Sequence, residues 1–252
     1  MIRGFRYRTI IAAVVLAGLL TACQTPVPFR EGDPPLPDRP RAETLEGLVK
    51  VYDPLEGLNR QVYAFNYEFD RLVFLPIVDA YEYVLAQPLR DRIHDFLGNL
   101  RDIVSFANLV LQLRPALALQ TAFRIGVNTG LGFFGIVDVA SAVGMARHKE
   151  DFGQTLGYWG ATEGPYLVIP VVGPSNLRDA SGYVVDSFFL DPLGLLANLK
   201  TGLAPYAWAR TSVNVVDTRA NTPFRYYGTA SPFEYDYVRL LYTRKRDLDL
   251  IR

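Results

Sequence analysis

Apolar residues recur at Leu55, Leu58, Val62, Phe65, Phe69 and Leu72, in alternating steps of three and four. That spacing lines one side of a 3.6-residue helix. A second stripe runs through Leu89, Ile93, Phe96, Leu97, Leu100, Ile103, Val104 and Ala107, with Arg90, Asp91, Asp95, Arg101 and Asp102 opposite it. Both stretches predict amphipathic helices. "DPLE" (53–56) and "SPFE" (231–234) each place a capping residue, Asp53 or Ser231, before Pro and then Glu, close to a capping box. Pro88 and Pro115 mark two further helix starts. Strand signals are weak. "YLVIPVV" (166–172) and "VFLPIV" (73–78) are β-prone, but each contains a proline, and no hairpin turn pairs either with a similar run. The expectation is a single all-α domain with Pro- and Gly-rich corners at 160–176 and 219–232.

Between Ile103 and Val137 the pattern changes. Charge is limited to Arg114 and Arg124, while Asn108, Gln112, Gln120 and Asn128 are polar but uncharged. The two arms of "ANLVLQLRPALALQTAF" (107–123) meet at Arg114-Pro115. Each is far shorter than the roughly 20 helical residues a bilayer crossing takes. Two placements fit: a buried hairpin at the centre of a bundle, or a hairpin dipping into one leaflet with its polar side chains turned toward protein or water.

The N-terminus reads as an address. Arg3, Arg6 and Arg8 precede an apolar run, "TIIAAVVLAGLL" (9–20), and then "LTAC" (20–23). This resembles a bacterial lipoprotein signal over residues 1–22, cleaved before Cys23, whose thiol takes the lipid. Cys23 is the sole cysteine, which is odd as structure and sensible as an acylation site. Each buried methylene contributes about 0.8 kcal/mol, so more than one acyl chain makes a stable anchor. Gln24, rather than Asp, follows the cysteine, as in lipoproteins sorted to the outer membrane. Residues 23–50 are then a lipidated tether. "PVPFREGDPPLPDRP" (26–40) carries six prolines, which favour extended chain at about 3.1 Å per residue. Residues 51–252 form the helical domain.

Composition narrows the chemistry. Lys+Arg and Asp+Glu balance at 26 each, so no basic surplus marks a nucleic-acid partner. His94 and His148 are the only histidines, too few beside one lipidated cysteine for a His/Cys zinc site. No G-x-S-x-G occurs, and His94, among charges, is expected to be a solvated surface residue. "GLGFFG" (130–135) matches G-x-G-x-x-G, with Glu150 and Asp151 at a suggestive distance beyond it. No strand precedes it and no long helix follows within a βαβ unit, so it is not expected to hold a dinucleotide. Catalytic residue, metal and cofactor are all expected to be absent, apart from the covalent lipid on Cys23.

"DPLEGLNRQVYAFN" (53–66), "NLVLQLRP" (108–115), "NTGLGFFGIVDVAS" (128–141), "DFGQTLGYWG" (151–160) and "GPYLVIPVVGPSNLRDASG" (164–182) together resemble the MlaA family, also called VacJ. The resemblance covers most of residues 51–250 and is looser after 183. It implies a ring of amphipathic helices around a polar channel, embedded in the periplasmic leaflet of the outer membrane. Phospholipids that have strayed into the outer leaflet pass through the channel to a soluble periplasmic carrier, and a trimeric porin holds the ring. The carrier delivers to an inner-membrane ABC transporter, so no ATP site is needed here. The alternative is a porin-associated envelope scaffold without transport. Asn59 and Asn66, seven apart on one helix edge, with Arg60, border the lumen or fix a neighbouring loop. Phe65-Asn66 matches a family segment that sets the open or closed balance. Gly130, Gly132 and Gly135 are flexing points or tight-packing positions. Arg178 of "NLRD" (176–179) faces a lipid phosphate or pairs with an acid, and "RKRD" (244–247) meets an acidic carrier, anionic headgroups or solvent. Replacing Cys23 with Ala is expected to release the protein from the outer-membrane fraction; unchanged fractionation of C23A would refute lipid anchoring.

Overall fold

The computed structural model describes residues 51–190, 204–229 and 231–251. The signal segment, Cys23 and the tether lie outside the described residues. Nine α-helices are described: α1 Glu56–Phe69, α2 Leu75–Val84, α3 Gln87–Leu111, α4 Pro115–Gly130, α5 Val139–Ala142, α6 Phe152–Tyr158, α7 Leu177–Val185, α8 Ala204–Ala220 and α9 Glu234–Ile251. Wider π-type turns continue α1 at Asp70–Phe74 and α7 at Asp186–Leu190. The all-α expectation holds, with one addition. β1 Tyr166–Ile169 pairs antiparallel with β2 Gly173–Asn176, in the register Tyr166↔Asn176 and Ile169↔Gly173. Pro170 does not interrupt the strand; it opens a three-residue turn, in which Val171 takes the left-handed region (φ 70°), as does Gly173 at the start of β2 (φ 101°). The pairing run "GPSN" carries no β propensity, so local pattern concealed it.

Pro88 and Pro115 stand in the first turns of α3 and α4 as their fixed φ allows. The expected cap at Asp53 is not formed. Leu55 occupies the N-cap of α1 without a side-chain bond. The Asp53 carboxylate instead accepts from Asn59 Nδ2 (2.7 Å), the Tyr235 hydroxyl (2.6 Å) and Arg239 (3.0 Å), so tertiary donors outcompete the local amides. Ser231 does accept from the Phe233 amide at the start of α9.

Contacts between elements close a circuit. α1 meets β1, β1 pairs with β2, β2 meets α7, α7 packs on α6, α6 on α3, α3 on α8 and α8 on α2, which returns through the π turn to α1. Arg219 of α8 clasps Asp70 in that turn with two bonds of 2.5 and 2.7 Å. The apolar core of this circuit is small and made largely of tyrosine. Tyr63, Tyr166, Val168 and Tyr235 are buried together, and Tyr63 meets Tyr226, Tyr227 and Tyr235 edge to face at 5.0–5.7 Å. Such contacts suit rings that carry a positive edge and a negative face. The Tyr63 hydroxyl donates to Glu234 (2.8 Å), which also receives the Tyr227 amide and the Thr229 hydroxyl.

Elsewhere the usual arrangement is reversed. The α3–α4 hairpin turns polar residues inward: Asp102, Ser105, Asn108 and Gln112 from α3, Thr121, Arg124 and Asn128 from α4. Val110, Leu111, Leu113, Leu119 and Phe123 are exposed. Arg124 has no exposed surface at all. Its Nε donates to Asp102 (3.2 Å), its Nη2 to both oxygens of Asp138 (2.9 Å each), and its Nη1 to the Ser141 hydroxyl (3.1 Å) and the Met145 carbonyl (2.6 Å). Arg147 adds a second guanidinium to the same two carboxylates at 3.1 Å. Burial works against the Asp138 carboxylate, but bonds from Ser141, Asn128 and Arg124 outweigh it and hold its pKa well below the usual range. The hairpin corner closes without glycine: Leu113 adopts φ 56° while the Arg114 amide reaches back to the Leu109 carbonyl, a six-residue closure normally given to Gly.

Arg124→Met leaves buried Asp102 and half-buried Asp138 short of a donor and is expected to cost about 3–5 kcal/mol, whereas exposed Leu119→Ala should stay within about 0.5 kcal/mol. Chemical denaturation in detergent compares them. Asp138 has a depressed folded pKa, so its contribution is complete above about pH 4, the unfolded value, and falls away as pH drops through the folded value. The Asp138→Asn variant should accordingly lose the corresponding part of the acid dependence.

Candidate functional site

Asn59 and Asn66 work as a pair. Asn59 Nδ2 donates to the Tyr166 carbonyl (3.0 Å) and its Oδ1 accepts from the Val168 amide (2.9 Å). Asn66 Nδ2 donates to the Ile169 carbonyl (3.1 Å) and its Oδ1 accepts from the Val171 amide (2.7 Å). The free edge of β1 is thus satisfied by two side-chain amides. The spacing follows from geometry: seven helical residues rise about 10.5 Å, and three extended residues span about 10 Å, so of two amides seven apart on the helix one meets the edge of β1 and the other the turn just beyond it. Both asparagines are buried and reach the 166–171 segment. Phe65 lies half-buried beside them and stacks on Phe69 at 5.8 Å. Arg60 bonds Glu56 (2.7 Å) and Asp236 (3.2 Å), its guanidinium 4.2 Å above the Tyr235 ring.

The three glycines of "GLGFFG" differ. A side chain at Gly132 would meet the Val137 and Asn128 carbonyls at 2.2 and 2.5 Å. One at Gly135, where φ is +92°, would strike Asn99 at 2.5 Å. Gly130 has open space. Between them Phe133 and Phe134 both occupy the left-handed region (φ 52° and 60°) and are 72% and 75% exposed. The bend therefore holds two large apolar rings outward in a conformation L-residues disfavour.

Arg178 is buried, its Nε bonded to Asp179 (3.2 Å), with Glu163 at 3.8 Å. Within "RKRD", Arg244 pairs with Asp247 and Lys245 with Asp249 at the surface. Arg246 turns inward and bridges Asp151 (2.7 Å) and Asp179 (2.7 Å), which joins α9 to the starts of α6 and α7.

A polar cleft of about 470 Å³ lies where α2, α3 and the end of α8 meet, lined by Tyr81, Glu82, Arg90, Arg92, His94 and Asn221 among others. His94 is not the simply solvated residue its local sequence predicts. Its Nδ1 contacts Oδ2 of the fully buried Asp217 at 2.8 Å, a partner 123 residues away on α8. Among the described residues no group of three His, Cys, Asp or Glu is placed to hold a metal. No single described helix is long and apolar enough to cross a membrane.

Residues 51–249 match the family model described as MlaA lipoprotein. The chain belongs to the MlaA family. An uncharacterized protein of Rickettsia prowazekii is 36% identical over 58% of this chain and 59% of its own length, so the match spans about three fifths of that relative. The intermembrane phospholipid transport system lipoprotein MlaA of Escherichia coli is 38% identical over 54% of this chain and 56% of its own. Its counterpart in Haemophilus influenzae is 32% identical over 67% and 66%. A solved chain, reported under the structural basis for maintenance of bacterial outer membrane lipid asymmetry, superposes with a TM-score of 0.63. It is 29% identical, covering 79% of this chain and all of that one.

Several members of the inward polar set escape a reading based on apolar stripes: Asp102, Ser105, Thr121, Asp138 and Asp217. A signal was present for some of them. Asp102, Ser105, Asn108 and Gln112 on α3, and Thr121, Arg124 and Asn128 on α4, themselves follow steps of three and four. A polar stripe at helical spacing within an apolar stretch is as periodic as a hydrophobic one. Asp217 carries no such mark. Asn66→Leu removes both bonds to the turn and is expected to cost about 1–3 kcal/mol. Amide exchange should accelerate at Val171 while the Asn59-bonded Val168 stays protected.

Proposed function

We propose that this chain is an outer-membrane lipoprotein that withdraws mislocalised phospholipid from the outer leaflet through a polar passage and passes it to a soluble periplasmic carrier. It thereby maintains the difference between the leaflets. The observation that carries this reading is the reversal in α3 and α4, with Arg124 and its carboxylates inside and Leu119, Phe123, Phe133 and Phe134 outside. In water each such exposed side chain forfeits about 1.5–3 kcal/mol of available burial. In the hydrocarbon of one leaflet the same surface is matched, and the helical hairpin keeps its own backbone bonded.

The chemistry is that of a lowered barrier. A phospholipid resists flipping because its charged head must leave water, at a cost of several kcal/mol or more. A wall that is apolar outside and polar inside removes that cost for the head and leaves the chains in or near lipid. Such a wall requires no nucleophile and no nucleotide. Lipid on Cys23, which lies outside the described residues, fixes the domain at the periplasmic leaflet, and a trimeric porin supplies lateral support. The relatives named for phospholipid transport support this assignment. So do the solved neighbour's connection with lipid asymmetry and the closed circuit of helices.

Cells lacking the gene are expected to accumulate phospholipid in the outer leaflet; altered envelope shape without that rise would favour the scaffold role instead. Deleting Phe65-Asn66 turns the rest of α1 by about 200° and should uncouple both the 166–171 turn and the Asp70–Arg219 clasp. Lipid flux is expected to change in a folded protein. A variant that is merely degraded would remove the gating role from this segment.

A further inference from the structure

The cleft between α2, α3 and α8 combines features that bulk polarity does not require. Asp217, fully buried at its back, accepts from Asn221 Nδ2 (3.2 Å) and contacts the Tyr81 hydroxyl (3.5 Å) and His94 Nδ1 (2.8 Å). A carboxylate only accepts, so the proton of His94 sits on Nδ1 and its Nε2 is left without a partner among the described residues. Held that way, Nε2 presents its lone pair to the recess as an acceptor. Two guanidiniums stand on the same helix. Arg90 is held by Glu82 and Gln87 through its terminal nitrogens, and its buried Nε bonds nothing among the described residues. Arg92 pairs with Asp95 at 3.1 Å and is 41% exposed. These groups suit a phosphate. Yet Glu82, Asp91 and Asp95 also line the cleft, so three carboxylates face two guanidiniums, and a bare anion meets repulsion. A ligand bearing an anion and a cation a few ångströms apart matches both sets.

The rim adds an apolar requirement. Arg92 Nη1 donates to the Ile136 carbonyl (3.3 Å). That bond ties the cleft to the bend where Leu131, Phe133, Phe134 and Ile136 are exposed. A polar recess beside a strained apolar projection fits an amphiphile better than a free ion. The seam is not a simple clamp between helices, because His94 keeps one nitrogen open to the recess.

We propose that this cleft is a headgroup station selective for zwitterionic phospholipid. The phosphodiester sits on Arg92, and the ammonium sits among Glu82, Asp91 and Asp95 with His94 Nε2 as a further acceptor. The proposal rests on the phospholipid-transport reading and adds to it a site and a selectivity.

The test uses the purified full chain in detergent, with the His94 imidazole followed by NMR and affinity by calorimetry. The probes are dihexanoyl phosphatidylethanolamine, dihexanoyl phosphatidylglycerol, glycerophosphoethanolamine and inorganic phosphate. Phosphatidylethanolamine is expected to shift the His94 resonance and to bind about tenfold more tightly than phosphatidylglycerol. The chain-free glycerophosphoethanolamine should bind more weakly, and inorganic phosphate weaker still. The Glu82→Gln, Asp91→Asn double variant should erase the preference between the two lipids. Arg92→Gln should weaken both, and His94→Gln should weaken phosphatidylethanolamine more than phosphatidylglycerol, while keeping an amide on Asp217 so that the fold persists. Equal affinity for the two lipids, or phosphate as good as either, would overturn the selectivity. Lipid binding that leaves His94 unmoved would overturn the site. If either happens while gene-deleted cells still accumulate outer-leaflet phospholipid, transport stands and only the cleft assignment fails. Absence of that accumulation would instead strike the transport reading itself.

Discussion

A guanidinium with no exposed surface sits at the centre of the α3–α4 hairpin, and the form of that half of the molecule depends on how its charge is met. Removing an ion from water costs several kcal/mol even after relaxation. Arg124 recovers that cost through two carboxylates, a hydroxyl and a backbone carbonyl. Those acceptors come from α3, from the N-cap of α5 and from the loop after it, so one side chain sets the relative positions of three segments. Asp138 caps α5 through the Ser141 amide and receives Asn128 as well. With the interior polar, the apolar residues of the same helices have only the outside to occupy. The outward placement of Leu119 and Phe123 is a consequence of the ion cluster as much as of their own chemistry.

The other half of the circuit is held differently. There a tyrosine core, hydroxyls on Glu234 and Asp53, and a short hairpin edge satisfied by Asn59 and Asn66 bring α1, β1 and α9 together. Most buried polar atoms in that set have a partner at hydrogen-bond distance, the Tyr166 hydroxyl excepted among the described residues, and a missing partner costs a group its desolvation. Such networks have fewer alternative packings than an aliphatic core. That property suits the proposed wall, which would keep its shape with lipid on one side and water on the other. Arg246, reaching from the last helix to Asp151 and Asp179, closes the same half by an ion bridge rather than by apolar contact.

The family's name-bearing relatives and the solved neighbour give the transport reading its direction, and the physics of the chain gives it a means. Under the proposed function, a polar interior lowers the barrier for a headgroup without chemistry, and the scarcity of histidine and cysteine is then no handicap. The cleft at α2, α3 and α8 differs from the hairpin interior in one respect that bears on function. Most polar groups of the hairpin bond one another, Thr121 Oγ1 excepted, whereas among the described residues His94 and Arg90 keep nitrogens without a partner beside an open recess.

Local pattern in the sequence determined α1 and α3, the proline-led starts of α3 and α4, and the unusual character of residues 103–137, because each of these depends on residues within a few positions of one another. The family motifs were legible for the same reason. Orientation was not. Steps of three and four show that Leu58 and Asn59 lie on different sides of α1, and they do not show which side faces in. That was decided by whether partners for the polar side exist elsewhere in the chain: Tyr166 and Val168 for Asn59, Ile169 and Val171 for Asn66, Asp102 and Asp138 for Arg124. Asp53 abandoned its predicted cap for Tyr235 and Arg239, and His94 gained Asp217. Strand β2, made of "GPSN", exists because β1 lies beside it. Local propensity has no access to a donor more than a hundred residues away, so the interior of this protein could be assigned only once the chain had been brought together.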